Sequence, residues 1–262
     1  MIKKTNDTKN MTAILSYDIY HIRLERMMDM KFVVSDEVFK KLESVCFGVI
    51  LAKGVDNSIF NADVAALLEA SIHFIEEKMA ATKTKESPEI LPYRDAFVKL
   101  GINPNKFMSS IEAMASRIEK KKGFPQINPV VDLGNAVSLK HLVPLGAHDI
   151  DSASGDIHVR FSREGDSFIP FGEEKAEFVD QNELIYSVGD KVKTRRWIWR
   201  QSEQGKVTGG SRNIFFPIDG FSDQNKDRVL AARDELASSL QKLFHCQVEV
   251  GFIDRNNRSI VF

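Results

Sequence analysis

The stretch Ile127-Asn-Pro-Val-Val-Asp-Leu-Gly-Asn-Ala-Val-Ser-Leu-Lys-His-Leu-Val-Pro144 is where the hydrophobic period of the chain changes, and that change decides the fold. Asn128-Pro129 reads as a helix N-cap followed by proline at the first helical position, ahead of Val130, Val131, Ala136 and Leu139 at helical spacing. Beyond Pro144 the period becomes two. Ile157-His-Val-Arg-Phe161, Ser167–Phe171, Glu183–Val188, Val192–Trp199 and Asn213–Asp219 read as strands separated by Gly-rich turns. Upstream the text is mostly helical. Val64, Leu67, Leu68, Ile72, Ile75 and Met79 repeat on one face with Asp63 as cap, Tyr93–Leu100 stops at Gly101, and Ser109-x-x-Glu112 forms a capping box. Two short strands, at Phe32-Val-Val34 and from Phe47 to Ala52, precede these helices. Downstream a helix from Asp223 carries Val229, Leu236, Leu240 and Leu243, and strands Gln247–Ile253 and Ser259–Phe262 close the chain. Helices and strands run in blocks, which predicts an α+β (mixed α/β) class with antiparallel or mixed sheets flanked by helices.

Composition narrows the function. In 262 residues, 36 Lys and Arg face 37 Asp and Glu, a net charge of −1, which excludes a polybasic protein that coats nucleic acid by bulk charge. A hydrophobic content of 43% is enough to bury a core. Two distant cysteines, Cys46 and Cys246, make neither a disulfide framework nor a zinc ribbon and suit a reducing compartment. No apolar run reaches the roughly 18 residues of a membrane span. Met1–Asp29 is polar and charged, unlike a signal peptide, so a cytoplasmic location is expected. Residues 1–29 read as an N-terminal extension of a single domain spanning 30–262, with Met27, Met28 and Met30 as alternative starts.

Two segments hold candidate chemistry. Asp190–Arg212 carries seven cations (Lys191, Lys193, Arg195, Arg196, Arg200, Lys206 and Arg212) against Asp190 and Glu203. Both tryptophans, Trp197 and Trp199, sit in it. In a continuous strand Arg195, Trp197 and Trp199 share one face, and Arg196, Ile198 and Arg200 the other. Such a surface suits a nucleic-acid backbone, because cations meet phosphate and rings stack on bases. The competing reading puts the tryptophans in the core and the arginines on a solvated edge. The second segment, residues 127–149, gathers Asn128, Asp132, Asn135, His141 and His148. Asn can fix a small polar ligand, and His148 suits a general base or hydrogen-bond donor. Singly, each also has a structural reading: Asn128 as helix cap, Asp132 as partner of a buried Arg, His148 as an ordinary loop histidine. Glycine-rich nucleotide-binding loops, a nucleophile elbow and His-Glu-x-x-His are all absent.

The order of the motifs is more telling than any one of them. Ile127-Asn-x-Val-Val-Asp-x-x-Asn135-x-Val-x-Leu139, Pro144-Leu-x-Ala-x-Asp149-x-Asp151 and Gly155-x-Ile-x-Val-Arg160 resemble the editing domain of the phenylalanyl-tRNA synthetase beta subunit. Pro92-Tyr-Arg-Asp-Ala-Phe97, Ser110-Ile-Glu-Ala113, Arg195-Arg-Trp-x-Trp-Arg-Gln201 and Asn213-Ile-Phe-Phe-Pro217 resemble its free-standing relatives. The resemblance implies a pocket for the aminoacyl end of a charged tRNA, where the synthetase hydrolyses the ester of wrongly attached tyrosine without metal or cofactor. It implies tRNA as partner, with neither DNA nor a membrane, and no ligase activity. Carried over residue by residue, it places Asn135 and Glu203 on family pocket positions, and His148, which stands where the family usually has an aromatic residue, joins them in the expected catalytic group. Asn128, Gly146, Trp199 and Gln201 go to substrate binding, and Lys193, Arg195, Arg196, Arg200 and Lys206 to RNA phosphates. Three further positions depart from the family pattern. Gly146 stands where the family has histidine, Gly134 where it has threonine, and Gln201-Ser202 where it has a glycine pair. A module that binds tRNA or an amino acid without hydrolysis is the second reading.

Overall fold

The computed structural model describes residues 30–151 and 153–262; the expected extension, residues 1–29, lies outside them. In chain order the elements are β1 (Lys31–Val34), α1 (Asp36–Lys41), β2 (Val45–Lys53), α2 (Ala62–Ala81), α3 (Leu91–Lys99), α4 (Ser110–Glu119), α5 (Pro129–His141) and β3 (His148–Asp149). Then follow β4 (Ile157–Phe161), β5 (Ser167–Phe168), β6 (Glu177–Phe178), β7 (Leu184–Val188), β8 (Lys191–Arg195), β9 (Arg200–Gln201), β10 (Asn213–Phe221), α6 (Lys226–Phe244), β11 (Gln247–Ile253) and β12 (Ser259–Val261). The class is α+β, as expected.

The helix ends follow from capping chemistry. The Asn128 side chain accepts from the Val131 amide at 3.1 Å, and the Ser109 hydroxyl from the Glu112 amide at 3.3 Å. Gly101 adopts φ +75° just past α3, a conformation that favours glycine. The cap of α2 is Asn61, which accepts from the Val64 amide at 3.1 Å, and not Asp63.

Two sheets pack face to face. The eight-stranded sheet runs β12-β1-β4-β7-β8-β5-β6, with β9 paired to β8; the four-stranded sheet runs β11-β2-β10-β3. Strand β2 explains the layering. Its odd residues Phe47, Val49 and Leu51 join the core between the sheets, and its even residues Cys46, Ile50 and Ala52 face α5 and α6 on the other side. Phe32 of β1 bridges the layers, with ring centroids 5.8 Å from Phe47 and 5.0 Å from Phe215. β10 pairs with β2 over nine residues, from Asn213 opposite Lys53 to Phe221 opposite Val45. Its odd face carries Phe215, Pro217, Asp219 and Phe221, so a carboxylate is set among apolar neighbours.

Gly220, on the opposite face of β10, leaves no room for a side chain. A Cβ there would overlap Val229 Cγ2 and lie 2.7 Å from Asn225 Oδ1. Gly220→Ala is expected to destabilise the fold by roughly 1–3 kcal/mol, read as a lower urea midpoint at unchanged slope.

Candidate functional site

The long strand expected over Val192–Trp199 does not form. β8 ends at Arg195, Arg196 and Trp197 take φ of 45° and 62°, and the chain returns as β9. Two consecutive left-handed residues turn Trp197 into the core instead of leaving it on a strand face beside Trp199. The turn is pinned on both sides: Trp197 N donates to Leu184 O at 2.6 Å, and Ser110 N, at the start of α4, donates to Ile198 O at 2.8 Å.

The open basic face is corrected with it. Arg195 is buried and makes two hydrogen bonds to Glu183, at 2.9 and 2.8 Å. That pairing holds its guanidinium above its ordinary pKa. Arg196 donates its backbone amide to Glu183 and lies over the Phe107 and Trp199 rings, 4.0 and 4.7 Å from their centroids. Lys206 pairs with Glu203 at 2.5 Å and Arg212 with Asp56 at 3.0 Å. Lys193 is partly buried, and burial lowers its pKa. Of the seven cations, Lys191 and Arg200 are the ones that stay exposed without an ion pair among the described residues.

Four of the expected site residues meet. Gly146, His148, Trp199 and Gln201 border one cavity of about 80 Å³, enclosed further by Tyr186, Trp197 and Asp219. Gln201 is oriented by donating Nε2 to Ala147 O at 2.6 Å. His148 stacks on Tyr186 at 5.9 Å and has a buried Nδ1 without a partner. Burial drives its imidazole down to about 3, helped by the nearby Lys193 charge, so the ring is neutral at pH 7. Gly146 allows the close approach. A Cβ on it would stand 3.2 Å from His148 Nε2 and from Pro217 Cγ.

The other three expected residues lie elsewhere. Asn135 borders a separate cavity with Arg117, Lys120 and Phe124. Asn128 is consumed by structure: besides capping α5 it accepts from Asn57 at 2.9 Å and donates to Val207 O at 3.1 Å. Glu203 accepts from the Gly172 amide at 2.9 Å and from Lys206, which keep its carboxyl below the usual range, and it does not border the His148 cavity. Asp132 accepts the Ile127 amide at 2.9 Å in place of the buried Arg anticipated for it. His141 contacts Glu235 at 2.8 Å, away from His148. No cluster of metal-ligating side chains occurs among the described residues. Cys46 is buried, which pushes its thiol up to about 12 and leaves it inert as a nucleophile at pH 7.

The residue missed in the sequence is Asp219. It is wholly buried and accepts from Tyr186 Oη at 2.7 Å and from Trp197 Nε1 at 2.6 Å. Burial raises its carboxyl to about 7 against the opposing effect of both donors. The available signal was its odd position in β10, between Pro217 and Phe221 on the inner face.

The fold and cavity define an α+β domain of two facing sheets with a small, polar-tipped pocket between them. The profile described as "B3/4 domain" matches residues 92–245, more than half of the chain, and the chain belongs to that family. It is 31% identical over 96 residues to the phenylalanine–tRNA ligase beta subunit of Idiomarina loihiensis; this covers 37% of the chain and 12% of that protein. A structure of an N-terminal fragment of the phenylalanyl-tRNA synthetase beta subunit from Pyrococcus horikoshii covers 83% of the chain at 10% identity and a TM-score of 0.46. The chain spans about half of that fragment (49%). No helix among the described residues is long and apolar enough to cross a membrane.

Proposed function

We propose that this B3/4 domain takes the aminoacyl end of a charged tRNA into the His148 cavity and hydrolyses a mischarged ester in trans. The observation that carries the reading is the convergence of Gly146, His148, Trp199 and Gln201, drawn from two separate motifs, on one pocket. The imidazole also answers the departure at Gly146. His148 Nε2 stands 3.2 Å from where a residue-146 Cβ would be, so a histidine two positions later brings its ring beside the place the family histidine would leave from. A neutral His148 positions a water or the ester oxygen and does not remove a proton, and an aminoacyl ester is activated enough for such positioning to count. Arg200 and Lys191, exposed cations of the basic segment without an ion pair among the described residues, meet the phosphates in this reading.

Incubating the intact chain with a panel of mischarged tRNAs tests this. Release of at least one amino acid well above the spontaneous rate is expected, with His148→Ala slowing it by about 10²-fold through lost positioning. Glu203→Ala asks whether that carboxylate leaves Lys206 to reach the bound aminoacyl group. Absence of hydrolysis for every species would remove the enzymatic reading. One observation favours a binding module without catalysis: of Asn135, His148 and Glu203, His148 alone borders the cavity.

A further inference from the structure

Asp219 is a buried acid whose partners are both neutral. Its donors, the Tyr186 hydroxyl and the Trp197 indole, both reach Oδ1, and neither reaches the second oxygen. Among the described residues no Lys, Arg or His forms an ion pair with it. A carboxylate so placed is unfavourable unless a cation or further donors meet it. Yet Asp219 borders an open space and not solid core, and His148, whose Nε2 lies beside Gly146, lines the same space. The remaining walls are mostly apolar or aromatic, among them Leu145, Trp199 and Pro217, with Ser110, Thr194 and Gln201 as uncharged polar members. An acid, an imidazole nitrogen and an apolar lining together form a receptor for a small group that carries one positive charge and one hydrogen-bonding atom.

The size of the space limits that group. A cavity of about 80 Å³ compares with a liquid-water share of roughly 30 Å³ and with an engineered cavity of about 150 Å³ that holds benzene. A phenyl or phenol ring does not fit beside an ammonium in such a volume; a hydrogen, methyl or hydroxymethyl side chain does.

We infer that the cavity selects amino acids with small side chains, glycine, alanine or serine in size, with Asp219 holding the α-ammonium and the His148 imidazole bonded to the carbonyl end. This rests on the aminoacyl-end reading above and names its substrate class. The ammonium supplies the charge-assisted hydrogen bond that Asp219 lacks. Aromatic amino acids are excluded by volume.

Calorimetric titration of the intact chain with L-alaninamide, N-acetyl-L-alaninamide and L-tyrosinamide tests the inference, because none of the three can be hydrolysed as an ester. L-Alaninamide is expected to bind at least about tenfold more tightly than either of the others. Asp219→Asn, which keeps an acceptor oxygen for Tyr186 and Trp197, is expected to lose about tenfold or more in L-alaninamide affinity. Near-ultraviolet circular dichroism of the packed aromatic side chains checks that this variant folds, and the N-acetyl comparison needs no variant. Equal binding of the acetylated compound, tighter binding of L-tyrosinamide, unchanged binding by folded Asp219→Asn, or no L-alaninamide binding would each overturn the inference. Hydrolysis of tyrosyl-tRNA without L-alaninamide binding sinks the substrate class and leaves the editing reading. L-Alaninamide binding without tRNA hydrolysis does the reverse.

Discussion

Glu183→Ala is expected to cost the fold about 3 kcal/mol, near the lower end of the range for breaking a buried ion pair. Glu183 takes both bonds from Arg195 and the Arg196 amide, all at 2.8–2.9 Å. Removing it strands the guanidinium of Arg195, a residue 8% exposed, beside Phe168. The loss stays at the lower end because Glu177 and Asp180 lie 3.6 and 3.7 Å from the same guanidinium and can close part of the gap. Urea denaturation measures it. A loss below about 1 kcal/mol would show that the pair behaves as a solvated surface bridge. The damage should extend to ligand binding, since Glu183 fixes the turn that sets Trp197 and, through it, Asp219.

The second large effect is a pH dependence of stability centred on Asp219. Its carboxyl moves from an ordinary 3.8 to about 7 on folding, chiefly through burial. The folded state therefore holds the proton more tightly than the unfolded chain does. The resulting stabilisation is complete below about pH 4 and is lost as pH rises through about 7. Fully expressed, it amounts to about 4 kcal/mol. Relative to Asp219→Asn, which has no proton to lose, the ligand-free wild-type protein should lose urea stability between about pH 5 and pH 7, and the comparison cancels His148, whose lowered imidazole acts in the opposite sense below about pH 6.5. Parallel declines in the two proteins would place the titrating group elsewhere.

The elements that the sequence revealed are those governed by neighbours in the chain. Asn128-Pro129 and Ser109-x-x-Glu112 cap helices where their spacing places the caps, and Gln247–Ile253 is a strand over the whole predicted range. The Val192–Trp199 strand failed because its alternation of cations and aromatics is interrupted by a backbone reversal at Arg196 and Trp197, residues with no intrinsic preference for positive φ. What holds that reversal is Glu183, 13 positions away from Arg196. The same limit applies to the site. His148, Gly146, Trp199 and Gln201 stood out because motif order marks them. Asp219 looked like a polar residue ending an apolar strand, and its meaning depends on Tyr186 and Trp197, 33 and 22 positions earlier. The basic segment misled for a related reason: its acids, Glu183 and Asp56, lie outside the window in which its charge was counted.

The central place of β2 has a consequence for biosynthesis. The strand is buried on both faces and ends at Lys53, but its two partners begin at Asn213 and Gln247. A ribosome making this chain therefore releases an apolar nine-residue segment well before anything that can pair with it. Folding dominated by such distant pairings is slow, and an unpaired strand of this kind invites aggregation. Occupancy by chaperones is thus expected to concentrate on residues 45–53 of nascent chains and to end once residue 253 has emerged.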